Sequence, residues 1–79
     1  IEKSQIANPI YIYIQGKDIM ITSASDIQTI HLYNITGQLI NTINENLTNT
    51  TRINIHTSGI YIVAVTANNT KTVQKIIIK

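Results

Sequence analysis

The sequence predicts an all-β fold, a thin antiparallel sandwich of about seven strands, on three observations. Isoleucine dominates the apolar residues while Phe and Trp are absent, and β-branched side chains suit a pleated surface but lose rotamer freedom in a helix. Apolar and polar residues alternate in runs of strand length. Turn-forming groups stand between the runs: Gln15-Gly16-Lys17-Asp18, residues 23–26, Asn34-Ile35-Thr36-Gly37-Gln38 and Ala67-Asn68-Asn69-Thr70. A chain of 79 residues buries only about 60 to 65% of the surface its unfolded form exposes, so the core must be thin. With no cysteine, neither a disulfide nor a thiolate metal site supplements it.

Residues 1–9 read as a linker remnant, with Pro9 holding Asn8 extended ahead of the first strand, and the domain is expected over residues 10–79. Ile10-Tyr11-Ile12-Tyr13-Ile14 puts isoleucines on a buried face and tyrosines on the other. Gly16 suits a positive φ at the turn into Ile19-Met20-Ile21-Thr22. Residues 27–33 alternate, with Ile30 and Leu32 on one face and Thr29, His31 and Tyr33 on the other, before a turn at Gly37 and a return strand over 39–43. Residues 44–50 are the least apolar window and are expected as an exposed loop. Arg52-Ile53-Asn54-Ile55-His56 is the next expected strand, with Ile53 and Ile55 inward. A terminal hairpin follows: Gly59-Ile60-Tyr61-Ile62-Val63-Ala64-Val65, a turn rich in Asn, and Thr72-Val73-Gln74-Lys75-Ile76-Ile77-Ile78-Lys79. Together these make a small Ig-like antiparallel β-sandwich of about seven strands.

Little in the chain suggests chemistry. His31 and His56 alternate out of strands that are apolar on the other face, with no third ligand or nucleophile at a supporting spacing. Glu2, Asp18, Asp26 and Glu45 are scattered and read as solvated tail and turn residues. His56-Thr57-Ser58-Gly59 lacks the G-x-S-x-G spacing that exposes a serine on a strained elbow. No catalytic residue, metal site or cofactor is assigned. Charged residues make up 13% of the chain and the net charge is +2, too sparse for a surface that tracks nucleic-acid phosphates. No apolar run approaches the roughly 18 residues of a membrane-spanning helix. The absence of a signal-peptide pattern suggests either a piece cut from a larger precursor or a chain whose signal peptide was removed, and the absence of Met at position 1 agrees with either.

Two patterns, however, stand in a telling order. Ile30, Leu32, Tyr33, Asn34, Ile35, Gly37, Gln38 and Ile40 fit I-x-(V/L)-Y-(D/N)-(I/L)-x-G-(K/R/Q)-x-(V/I). Later come G-x-Y-x-V-x-V from Gly59, then about ten residues, then K-(I/V)-(I/V)-x-K at Lys75 to Lys79. In this order and spacing the chain resembles the type A C-terminal sorting domain of cargo proteins of the bacterial type IX secretion system. The resemblance covers residues 10–79; the P-N-P signature of many members is represented only by Asn8-Pro9.

The resemblance implies a sorting signal without chemistry of its own. A cargo carrying it crosses the inner membrane, folds in the periplasm, and passes the outer membrane through the type IX translocon to the cell surface or beyond. A sortase-like cysteine peptidase then removes the domain near its N-terminal boundary. It also implies roles: Gly59, Tyr61, Lys75 and Lys79 in recognition by translocon and sortase, and Tyr33 and Gly37 as structural markers. Tyr61 is expected to anchor the core with its ring and bond the backbone through its hydroxyl. The terminal hairpin is expected to offer an accessible strand edge to a receptor and, at high concentration, to exchange between two copies in a strand-swapped dimer. A rival reading is a carbohydrate- or protein-binding accessory module using Tyr11 and Tyr13.

Overall fold

Seven strands form in chain order: β1 (Ile10–Gln15), β2 (Asp18–Ser23), β3 (Ile27–Asn34), β4 (Leu39–Ile43), β5 (Thr50–Asn54), β6 (Gly59–Ala67) and β7 (Thr70–Ile78). They are seen in a computed structural model that describes residues 10–45 and 47–79. The linker expected over 1–9, including Glu2, lies outside the described residues. The strands make two antiparallel sheets, ordered β1-β2-β5 and β4-β3-β6-β7, and pack as a small Ig-like sandwich. Hairpins join β1 to β2, β3 to β4 and β6 to β7, while the connections at 24–26, 44–49 and 55–58 carry the chain from one sheet to the other.

Alternation along the strands puts one face of each sheet into a shared core. Ile12, Ile19, Ile21 and Ile53 from the first sheet meet Ile30, Leu32, Val63, Val65, Ile76 and Ile78 from the second. Each fully buried aliphatic side chain contributes about 1.5 to 3 kcal/mol before the cost of ordering the chain, so this isoleucine-rich layer is the main source of stability. Tyr11 and Tyr13 point outward, as their alternation with isoleucine requires.

Alternation along β3 is not clean. Its pairing with β6 shifts between Ile27 and Thr29, so Ile27 faces Ala67 and Thr29 faces Thr66, leaving Gln28 as an extra residue. The bulge turns Ile27 into the core beside Ile30 and Leu32, which strict period two would not allow. Gln28 uses its own carbonyl, Oε1, to accept the Asn69 N–H at 3.2 Å. That bond holds the β6–β7 turn, where Asn68 and Asn69 both take positive φ (50° and 62°) between the paired Ala67 and Thr70. Two consecutive left-handed residues are the geometry that matches the twist of a tight hairpin.

The fifth strand is displaced from its expected place. It spans Thr50–Asn54 rather than reaching His56, because Asn54 pairs with Asp18, the first residue of β2, and no partner strand continues beyond it. Ile53 and Ile55 both point inward as expected, but Ile55 N–H donates to the Lys17 carbonyl, at 2.8 Å, from the connection after β5. The window expected as an exposed loop also does structural work: Leu47 packs on the core, and the Thr48 and Asn49 carbonyls accept the N–H groups of Ile27 (3.0 Å) and Ser23 (2.8 Å).

The edge of β7 is less accessible than its terminal position suggests. β1 runs beside it, and Gln74, in phase with buried Ile76 and Ile78 but itself exposed, donates its amide to the Ile12 carbonyl at 3.3 Å. This side of the sandwich is therefore closed by a bond between the sheets.

Candidate recognition surface

The G-x-Y pattern builds a corner. Tyr61 packs its ring at the margin of the core and turns its hydroxyl back to donate to the Thr57 carbonyl at 2.7 Å. Such a bond ties the start of a strand to the connection that delivers it, as in the tyrosine corner of Ig-like domains. Gly59 stands at φ +154°, and a Cβ built there would meet the Tyr61 ring at an ordinary 3.8 Å. The backbone, not lack of space, is what calls for glycine.

The earlier pattern builds a turn. Asn34 Oδ1 accepts from Thr36 N (3.1 Å), Thr36 Oγ1 (2.7 Å) and Gln38 N (2.9 Å), and Asn34 Nδ2 donates to Gln38 Oε1 at 3.1 Å. Gly37, at φ +90° with open space around it, donates its N–H to the Asn34 carbonyl. Asn, Gly and Gln at this spacing are thus the parts of one β3–β4 turn. Tyr33 lies on the outer face, half-buried, stacked on His31 with ring centroids 6.2 Å apart.

Pairing across the sheet joins the two patterns. Asn34 is opposite Tyr61, Tyr61 opposite Ile76, Tyr33 opposite Ile62, and Ile62 opposite Lys75. Gly59 is opposite Ile78, the neighbour of Lys79. Gly59, Tyr61, Lys75, Lys79, Tyr33 and Gly37 therefore gather at one end of the four-stranded sheet, although they are far apart in sequence.

Lys71, Val73, Lys75 and Ile77 alternate outward along β7, all exposed, opposite in phase to buried Ile76 and Ile78. Among the described residues the carboxylates lie elsewhere, with Asp18 in the other sheet and Asp26 and Glu45 in connections. Lys17, not singled out by its sequence context, is pulled into the same end: its Nζ donates to the Lys79 carbonyl (3.0 Å) and to Ser58 Oγ (3.2 Å). Gln74 is a second missed residue. Its signal was present, as a polar side chain in the inward phase of an apolar strand needs a partner.

The remaining candidates stay apart. His31 is in β3 and exposed His56 follows β5, and among the described residues no cluster of three or more His, Cys, Asp or Glu exists. Ser58 of the His56-Thr57-Ser58-Gly59 run accepts from Lys17 instead of facing a base. Asp18 is not simply solvated: it accepts from Asn54 Nδ2 at 2.7 Å and lies 3.5 Å from Arg52 Nε. The sequence hides this link because Asp18 and Asn54 meet only through the β2–β5 pairing.

An Ig-like sandwich whose recurrent residues build a corner and a turn, with an exposed lysine-bearing strand beside them, defines a small surface module. The family model described as secretion system C-terminal sorting domain matches residues 8–79, and the chain belongs to this family of type IX sorting signals. No curated protein matches the chain. Membership implies a cargo precursor handled by the type IX system and a secreted protein that goes to the outer-membrane surface or outside. The family is not a class of enzyme.

Proposed function

We propose that residues 10–79 are read by the outer-membrane translocon at the end of the four-stranded sheet where both family patterns meet. That convergence is the observation that carries the reading. Gly59, Tyr61, Tyr33 and Gly37 hold the frame, and Lys75 and Lys79 supply the charges that the receptor contacts. The cargo folds in the periplasm first, and a sortase-like cysteine peptidase then cuts near residues 1–9, which serve as the linker. The domain itself performs no catalysis.

The test is a fusion of residues 1–79 to a folded reporter in a type IX host, compared with the same fusion carrying Lys75→Ala and Lys79→Ala. Lys79 bonds Lys17 through its main-chain carbonyl, and Lys75 is exposed, so the variant should keep its melting temperature. Retention of the folded variant in the periplasm is the expected result; normal secretion would remove the lysines from recognition. Binding of glycan or protein through Tyr11 and Tyr13 is a second reading, favoured by their exposure of 62% and 51% on one face of β1. Tyr11→Ala with Tyr13→Ala separates the two, because the sorting reading expects that variant to be exported.

A further inference from the structure

The side of the sandwich away from the β1 and β7 contact is open. There β4 and β5 are the outer strands of their sheets, and a cleft of about 310 Å³ runs between them, lined by Leu32, Ile40, Asn41, Ile53, Ile55 and Tyr61 among others. Its polar lining is Asn41, Asn54, His56 and Thr57, without Lys, Arg or a carboxylate. β4 also lacks the usual protection of an outer strand. It contains neither charge nor proline, and Leu39 through Thr42 are exposed, whereas edges are commonly blunted by such residues. β5 by contrast carries Arg52, and β7 carries lysines and abuts β1.

Two local details make β4 receptive. Its register with β3 shifts between Leu32 and Tyr33, so Leu32 faces Asn41 and Tyr33 faces Leu39; Ile40 is the extra residue, half-exposed at the cleft. The Thr42 N–H donates to the Asn41 side-chain oxygen at 2.9 Å. It is held by the strand's own side chain, an exposed bond that an incoming carbonyl can replace.

We propose that β4 is a strand-addition site, at which the type IX receptor lays an extended, uncharged segment alongside Asn41-Thr42-Ile43 and sets one aliphatic side chain in the cleft. This rests on the sorting reading above. The occupant is a strand because an extended main chain can follow a free edge while its alternate side chains read neighbouring pockets, as the cleft beside β4 would allow. It is uncharged because in this cleft a cationic side chain would meet no carboxylate and an anionic one neither Lys nor Arg, only the His56 imidazole.

The test uses the reporter fusion with Thr42→Pro, which deletes the N–H on an outer strand where proline is tolerated. Ile40→Lys, on a half-exposed side chain, is a second variant should Thr42→Pro fail to fold. Tyr11→Lys, at an exposed position on β1, is the control. Variants that keep the parent's melting temperature are compared for secretion, and purified domains are examined by light scattering. Secretion should fall about tenfold for Thr42→Pro, the effect of roughly one lost main-chain hydrogen bond on an equilibrium, should fall also for Ile40→Lys, which puts a charge where the aliphatic side chain would sit, and should stay at the parent's level for Tyr11→Lys. Folded Thr42→Pro and Ile40→Lys secreted like the parent would overturn the proposal. So would a parent dimer that Thr42→Pro abolishes, since a second copy would then be the occupant. A parent fusion that itself stays in the periplasm would instead overturn the sorting reading on which the proposal rests.

Discussion

Tyr61 donates its hydroxyl to the carbonyl of Thr57, four residues upstream, at 2.7 Å. The bond fixes the angle at which the chain crosses from the first sheet into β6 and so places Gly59, Tyr61 and their β7 partners. Tyr61→Phe keeps the ring and loses the bond, and is expected to cost about 1 kcal/mol. For a domain of this size that lowers the melting temperature by about 4 to 8 °C, measurable by circular dichroism. An unchanged melting temperature would show that the corner is not held by the hydroxyl.

Gly59→Ala and Gly37→Ala test the backbone directly. At both positions a Cβ meets no close atom, so the cost comes from φ, +154° and +90°, and should be about 1 kcal/mol or more each. Denaturant unfolding should show lower midpoints with unchanged slopes, since compactness is not altered. Midpoints equal to the parent's would contradict the reading.

Asn69→Gly should act in the opposite direction. Asparagine followed by glycine is the preferred pair for a turn with two left-handed residues, Asn68 already supplies the first, and the Gln28 contact uses only the backbone N–H of the second. A gain of about 0.5 kcal/mol is expected. The same change tests exchange of β7 between copies, which requires this turn to open. Small-angle scattering at millimolar concentration should show a dimer fraction for the parent and less for Asn69→Gly; parent data fitting only a monomer would end the exchange hypothesis.

The Asp18 cluster should respond to salt unevenly. Arg52 is 62% exposed, so Arg52→Ala should cost no more than about 0.5 kcal/mol, an effect that fades in molar salt. Asp18→Ala also removes the 2.7 Å bond from Asn54 and should cost about 1 kcal/mol, persisting in salt. Equal costs for the two variants would show that the β2–β5 pairing does not depend on this bond.

Much of the sandwich was legible because its signals are local. Isoleucine alternating with tyrosine in β1, glycine and asparagine in the turns, and Tyr61 two residues after Gly59 all act within one or two turns of chain. What escaped arises between strands. Gln28 and Ile40 become bulges only through pairing with β6 and β3, β5 stops at Asn54 because β2 begins at Asp18, and Gln74 finds Ile12 only once the sheets are stacked. The proposed recognition surface follows the same division: Gly59, Tyr61, Lys75 and Lys79 are readable as a pattern, whereas their meeting with Tyr33, Gly37 and Lys17 belongs to the sheet.

Under the proposed sorting function, this domain alone suffices to send a folded passenger through the type IX translocon. The most direct test of that function is the distribution of a reporter fused to residues 1–79 and directed to the periplasm, in a type IX host and in the same host lacking a functional translocon. Reporter is expected at the cell surface or in the medium in the first strain and in the periplasm in the second. Periplasmic reporter in both strains, or release in both, would contradict it.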